Sequence, residues 1–80
     1  SLTVFPNPGS GVFNIEFLNA ISGGVQLDVF DITGKIISSE NIESENGMIV
    51  LDITNAAPGL YFVKTTQADG TTAVKQIVKQ

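Results

Sequence analysis

The sequence contains no cysteine, no histidine and no tryptophan, and these absences exclude whole classes of function. Without cysteine or histidine there is no thiolate or imidazole nucleophile, no disulfide and none of the usual ligands of a zinc site. All four basic residues are lysines, and eight acidic residues bring the net charge to −4. A negative chain without arginine is poorly suited to nucleic acid or anionic lipid. We therefore expect no cofactor, no metal site and no nucleic-acid partner.

Long apolar runs are also lacking. No run exceeds four residues, as in 48–51 and 60–63, whereas a helix that crosses a membrane needs about 20. Eighty residues with 42% hydrophobic content are enough for one domain with one thin core. The chain begins Ser-Leu-Thr, with neither methionine nor a charged leader. We expect residues 1–80 to be a single domain taken from a larger precursor.

What the sequence does contain is the alternation of apolar and polar residues that is typical of half-buried β-strands. The alternation is clearest in residues 13–17, 25–29 and 49–53, where the odd positions are apolar. Glycine, proline, asparagine and aspartate separate these segments. The pattern predicts an all-β fold, an immunoglobulin-like antiparallel β-sandwich of about seven strands. The predicted strands are residues 2–5, 12–18, 25–31, 35–40, 48–53, 60–67 and 72–79.

Several turn sequences predict particular geometries. Asn46-Gly47 and Asp69-Gly70 should form two-residue hairpin turns in which both central residues have positive φ. Residues 57–60, around Pro58-Gly59, should form a type II turn. Asp31 should initiate the turn of residues 31–34 rather than bind calcium, because a calcium loop needs several oxygen ligands close together.

Two further features concern the ends of the chain. Pro6 and Pro8 lack amide hydrogens and favour extended conformations in the preceding residues. We therefore expect the first strand to pair briefly and then leave through a stiff corner, without continuing along a sheet edge. Tyr61 should form a tyrosine corner by donating its hydroxyl to backbone between Ile53 and Ala57, or else only cap the core.

Several segments occur in a particular order along the chain: Phe5-Pro6-Asn7-Pro8, Val29-Phe30-Asp31 with Gly34-Lys35, Asp52-Ile53, 59–64 and 75–78. This ordered set resembles a known family, the type A C-terminal sorting domain of the type IX secretion system of Bacteroidetes. The resemblance covers nearly all 80 residues. Phe30, Thr65 and Gln76 depart from it, since they stand where tyrosine, an aliphatic residue and an apolar residue are common. The matched positions are Pro6, Asn7, Pro8, Gly34, Lys35, Gly59, Tyr61 and Lys75.

The resemblance implies a non-catalytic signal domain that directs a secreted cargo through the outer-membrane translocon to the cell surface or beyond. The partners it implies are that translocon, a surface sortase that usually removes the domain, and an N-terminal cargo domain in the same precursor. An alternative is a carbohydrate-binding or adhesive module of a surface enzyme. Such a module would need tryptophan or several exposed tyrosines, and the chain has one tyrosine. A structural spacer that shields a catalytic domain is a third possibility.

The first candidate recognition site is aromatic. If Val25, Val29 and Tyr61 face the core, alternation turns Phe30 and Phe62 outward. In an immunoglobulin-like order the third and sixth strands are neighbours, so the two rings should form an exposed pair. This pair is a candidate contact for the cargo or for the secretion machinery. Alternatively, loops or a register shift cover it.

The second candidate is the final strand. Residues 74–79 do not alternate, which predicts a bulge or an edge position. A free edge is available for strand addition by a receptor, although edge lysines also serve simply to prevent aggregation. The acidic residues Glu40, Glu43 and Glu45 predict a solvated loop before Asn46, with weak calcium binding as the alternative. The recognition candidates outside the aromatic pair are Lys64, Lys75, Ile77, Val78 and Lys79.

Overall fold

The part of the chain that the structure describes folds into seven β-strands, as predicted. The computed structural model describes residues 2–19, 21 and 23–80. Within these residues there is no helix that is long and apolar enough to cross a membrane. The strands are β1 (Leu2–Phe5), β2 (Val12–Phe17), β3 (Gly24–Asp31), β4 (Ile36–Glu43), β5 (Met48–Asp52), β6 (Gly59–Thr66) and β7 (Thr72–Lys79).

The strands form two antiparallel sheets that pack face to face. One sheet has the order β1-β2-β5 and the other has the order β4-β3-β6-β7. The third and sixth strands are neighbours, and β7 continues the sheet beyond β6, as in the immunoglobulin-like arrangement. The predicted all-β sandwich is therefore confirmed. Its four sheet edges are β1, β5, β4 and β7.

The core is built from the apolar positions of the alternating segments. Phe13 and Ile15 of β2 face Val25, Leu27 and Val29 of β3, and all five side chains are fully buried. Burying a side chain of this size contributes about 1.5–3 kcal/mol relative to leaving it in water. Since every second residue points inward, the period of two in the sequence determines which residues form the core.

The acidic segment before Asn46 is a strand for most of its length, so the prediction of a loop there was wrong. Glu40 and Glu43 lie in β4, which extends to Glu43 because β3 provides a pairing partner as far back as Gly24. Cross-strand hydrogen bonding thus outweighs the charge of the segment. Only Glu45 lies in the connection, where its amide and carbonyl pair with those of Met48 at 3.0 Å.

The two predicted hairpin turns differ from each other. Asn46 and Gly47 both have positive φ, 55° and 75°, which confirms the first prediction. The second was wrong, because only Gly70 has positive φ (89°). The amide of Gly70 donates to the carbonyl oxygen of Gln67 at 2.9 Å, which makes a three-residue loop with a bulge. The carboxylate of Asp69 favours this loop by accepting the amide of Thr71 at 2.9 Å.

The predicted type II turn at Pro58-Gly59 was also wrong. Gly59 has a φ of 151°, whereas the second central residue of a type II turn needs about +80°. Gly59 already belongs to β6 and pairs with Lys79 of β7. Pairing with the last strand therefore determines the backbone conformation here, and Pro58 simply precedes the strand.

Candidate recognition surface

The outer face of the four-stranded sheet, which is the face turned away from the core, carries the two predicted aromatic residues. Phe30 of β3 and Phe62 of β6 are direct register partners. Ile36 of β4 pairs with Phe30 and Gln76 of β7 pairs with Phe62, so one row crosses all four strands. Both rings are half-buried, not exposed as expected. Side chains opposite each other on one face have Cβ atoms about 4.5–5.5 Å apart, so neighbours in the row cover much of each ring.

The next row toward one end of the sheet extends this apolar area. Leu60 of β6 pairs with Val78 of β7. Val78 is 38% exposed and Ile36 is 51% exposed, so the periphery of the area is accessible to solvent. Apolar groups grouped on a solvated sheet face are typical of binding surfaces. We call this area the outer patch: Phe30, Ile36, Leu60, Phe62 and Val78.

The other end of the outer face is polar and its groups bond to one another. Ser39 donates its hydroxyl to Oδ1 of Asp28 at 2.7 Å, and Nε2 of Gln26 donates to Oγ of Ser39 at 3.0 Å. Nδ2 of Asn41 approaches Oε1 of Gln26 at 3.5 Å. Lys64, one of the candidate residues, pairs in register with Asp28 and is half-buried. The outer face is thus divided into an apolar end and a mainly polar end, on which Val74 of β7, the register partner of Lys64, is an exposed apolar residue.

The outer patch and the beginning of the chain lie at opposite ends of the sandwich. Leu2 pairs with Phe17, at the end from which the chain passes on to β3. Phe5 lies at the other end of β1, and from there the chain crosses to bond with Val78. The molecule is 32 Å along its longest axis. A domain attached upstream of Leu2 is therefore remote from the outer patch.

The chain leaves β1 after four residues, as the two prolines predicted, but it then continues along the edge of the other sheet, which they did not predict. The side chain of Asn7 donates Nδ2 to the carbonyl oxygen of Gln76 and accepts the amide of Val78 at Oδ1, both at 3.0 Å. The amide of Gly9 then donates to the carbonyl oxygen of Val78 at 3.0 Å. The amide of Gln80 in turn donates to the carbonyl oxygen of Gly9 at 2.8 Å. We call residues 7–9 the strap, because they pair with the outer edge of β7.

Close packing fixes the strap in place. A Cβ on Gly9 would lie 2.7 Å from the carbonyl oxygen of Pro6 and 2.8 Å from the ring of Phe13, so the position accepts only glycine without rearrangement. The carboxamide of Asn7 replaces a backbone amide and carbonyl where the prolines supply no donor. The strap therefore covers the half of the β7 edge that carries the last residues.

The candidate residues of β7 do not form one surface. β7 is an edge strand, as predicted, but it pairs with β6 without a register shift, so there is no bulge. Ile77 is fully buried in the core, Lys79 is 92% buried, and Lys75 is exposed on the inner side. Only Val78 lies on the outer patch. The alternation was hidden because the inner face carries two lysines, a device that protects sheet edges from aggregation.

The residues that carry the family resemblance bond within the domain. The hydroxyl of Tyr61 donates to the carbonyl oxygen of Ala57 at 2.5 Å, which confirms the predicted tyrosine corner. Tyr61 is 7% exposed, so its ring is not available for stacking on a sugar. Gly34 has a φ of 87° and closes the turn of residues 31–35, where the amide of Lys35 donates to Oδ1 of Asp31 at 3.1 Å. The predicted Asp31 turn is confirmed.

A repeated motif escaped the sequence reasoning, although it is visible in the sequence. Asp31, Asp52 and Asp69 are each followed two positions later by a threonine whose amide donates to the carboxylate at 2.8–3.0 Å. Hydrogen bonds from the threonines lower the pKa of all three carboxyls. We call these the three Asp-x-Thr turns. Among the described residues, no group of three or more acidic side chains is arranged to hold a metal ion.

Residues 3–80 match the sequence profile of the family described as secretion system C-terminal sorting domain. The match includes both the strap and the last strand, which the structure joins by hydrogen bonds. No curated protein matches the chain.

Proposed function

Since the chain belongs to the family of secretion system C-terminal sorting domains, we propose that the outer-membrane translocon of the type IX system binds it through the outer patch. The established part of this function is that of a non-catalytic sorting signal. The signal marks an attached cargo for transport through the outer membrane to the cell surface or the extracellular space. The proposal adds the surface that is recognised.

The observation that carries the proposal is the division of the outer face. At the polar end, Gln26, Asp28 and Ser39 bond to one another and gain little from a partner. At the apolar end, Phe30 and Phe62 lie in the middle of a group whose periphery is exposed. Covering apolar surface contributes about 25 cal/mol per Å². Aromatic side chains near the centre of a contact contribute most of the binding energy in protein interfaces.

The position of the outer patch favours the translocon over the cargo as its partner. Cargo that precedes a C-terminal domain is joined upstream of Leu2, at the end of the 32 Å sandwich remote from Leu60 and Val78. A cargo domain would have to extend along the whole sandwich to cover the patch. The same arrangement leaves the junction upstream of Leu2 accessible while the translocon holds the other end. We therefore also propose that a surface sortase removes the domain after export.

The experiment fuses residues 1–80 to a passenger with an inner-membrane signal in a host that has the type IX system. A variant with Phe30→Ser and Phe62→Ser should remain folded and lose export by about tenfold or more, as expected when two central aromatic contacts are removed. The matched control carries Val12→Ser and Leu18→Ser, two exposed apolar residues outside the outer patch. It should be exported normally.

Thermal unfolding of each purified variant separates loss of recognition from loss of folding. Normal export of the folded Phe30 and Phe62 double variant would contradict the proposed surface while leaving the sorting function untouched. Equal loss of export in the control would also contradict it, because the effect would then not depend on the patch. Retention of the unchanged fusion in the periplasm would contradict transport by this chain itself.

A further inference from the structure

The side of the sandwich formed by β4 and β5 is open, in contrast to the side formed by β1 and β7. On the β7 side, β1 contacts β7 and the strap pairs with the edge. On the other side, β4 and β5 are the free edges of their sheets. Two grooves lie along them, with volumes of about 440 and 470 Å³. Ile37, Ile53 and Ala56 contribute apolar surface to the first groove, and Ile42 and Val50 contribute it to the second.

The linings of both grooves are acidic. Asp31 and Asp52 line the first groove, Glu43 and Glu45 line the second, and no lysine lines either. Between them, Glu40 pairs in register with the buried Leu27, which places it on the inner side of β4, yet it is exposed. The strap pairs with the outer edge of β7, whereas no segment of the described chain pairs with the outer edge of β4.

The lysines lie elsewhere, so the sandwich is electrically polarised across its width. Lys64 belongs to β6, and Lys75 and Lys79 belong to β7, on the opposite side from the grooves. Only Lys35, which precedes β4, lies near the acidic side. Such a field attracts a partner of opposite charge and raises its rate of association. Hydrogen bonds from threonine lower the pKa of Asp52, which keeps this carboxylate charged in mildly acidic solution.

We infer that the β4–β5 side binds a basic, extended segment of a partner protein by strand addition to the free edge of β4. The backbone of the segment would bond to β4. Glu40 lies on the inner side of β4 and Glu43 on the outer side, so a lysine or arginine of the segment would meet each of them from its own side. Its apolar side chains would enter the grooves. Strand addition takes its affinity from main-chain hydrogen bonds and its specificity from alternate side chains. This surface shares only Ile36 with the outer patch, and the inference does not depend on the proposed function.

The two edges of the four-stranded sheet differ in how they are covered. The edge of β7 carries inward-facing lysines and is also covered by the strap, so charge and cover occur together there. β4 carries the inward charge of Glu40 without a cover. A second copy of the chain is a less suitable occupant, because the strap already uses backbone groups of Gln76 and Val78 that its β7 edge would need.

The test uses two capped peptides that match the eight-residue length of β4. One has lysine at the positions that would pair with Glu40 and Glu43 and valine at those that would pair with Ser38 and Ile42, and the other has glutamate in place of lysine. Backbone amide shifts of the isotope-labelled chain are followed during titration. We expect the lysine peptide to shift amides of residues 36–43 and 48–52, with at least about tenfold higher affinity than the glutamate peptide. Its affinity should fall markedly as added salt shortens the Debye length from about 30 Å to about 8 Å.

Substitutions of the acidic residues of β4 test whether their charges contribute to binding of the peptide. Replacing Glu40→Gln together with Glu43→Gln should weaken binding of the lysine peptide by about threefold to tenfold, the range expected for two exposed ion pairs. The control Glu16→Gln, on the outer face of the other sheet, should leave the affinity unchanged. Absence of shifts, equal affinity for both peptides, or shifts confined to β7 or the outer patch would overturn the inference. Concentration-dependent shifts of β4 and β7 without peptide would assign the surface to a second copy instead.

Discussion

Replacing Thr65 by valine should stabilise the domain, because the structure buries a hydroxyl that has no partner. Thr65 lies in β6 between Leu27 of β3 and Ala73 of β7, and its side chain faces the core. It is fully buried, and Oγ1 has no hydrogen-bond partner among the described residues. Thr65 is also a position at which an aliphatic residue is common in the family that the chain resembles. Valine has nearly the same shape and no polar group.

The expected gain follows from two terms. A buried hydroxyl without a partner costs about 1–3 kcal/mol of desolvation, and this cost disappears in Thr65→Val. The methyl group that replaces the hydroxyl adds up to about 0.8 kcal/mol of apolar burial. Since the shape of the core is kept, little is lost to strain. We expect the free energy of unfolding to rise by about 2 kcal/mol, and Tm to rise by about 10 °C for a domain of this size.

Thermal and urea unfolding measure this change directly. The urea midpoint should rise without a change in the dependence of the unfolding free energy on urea, since the surface exposed on unfolding stays the same. Thr72→Val is the matched control, because Thr72 lies in the same sheet and is exposed. It should change stability by less than about 0.5 kcal/mol. Unchanged or lower stability in Thr65→Val would refute the reasoning, since it would mean that the hydroxyl is satisfied in the folded protein.

Two further predictions concern the strap and the acid response. Asn7→Ala should remove two hydrogen bonds to β7, lower stability by about 1–2 kcal/mol and speed amide exchange at Val78. Asn14→Ala, which loses one 3.3 Å bond to Phe5, is the control. An equal loss of stability in both variants would contradict the role of Asn7 in holding the strap on β7. The lowered pKa values of the three Asp-x-Thr turns contribute stability above pH about 4, which is lost as pH falls through the folded-state values. Replacing Asp31, Asp52 and Asp69 together by asparagine should make the free energy of unfolding depend less on pH in this acidic range. Unfolding measured at a series of pH values tests this.

The sequence predicted the strands well because their signal is local. In residues 25–29 each apolar residue marks the inner face by itself, so no knowledge of the partner strand is required. The pairing of Phe30 with Phe62 also followed, since adjacency of two strands and their alternation determine which face each ring occupies. The position of Ile36 beside Phe30 was not predicted. A register shift between Val29 and Phe30 places Ile36 opposite Phe30, and this shift has no local signature.

Features that depend on distant partners were beyond such reasoning. Asn7 bonds to Gln76 and Val78, which lie 69 and 71 positions away, so nothing in its immediate neighbours identifies its role. Glu40 and Glu43 look like loop residues until β3 is present to pair with them. The same holds for the acidic β4–β5 side, which exists only because the two sheets bring separate segments together.

The residues that identify the family and the surface proposed for recognition have different tasks. Asn7 clamps the last strand, Gly34 closes a turn and Tyr61 fixes the chain before β6, so each bonds inside the domain. Changing any of them should lower stability, and with it export, whether or not the translocon touches that residue. Phe30 and Phe62 are different, since their rings lie on the outer face of the sheet and do not belong to the buried core. Loss of export therefore identifies a contact only where unfolding measurements show unchanged stability, and the outer patch is where we expect the two to separate.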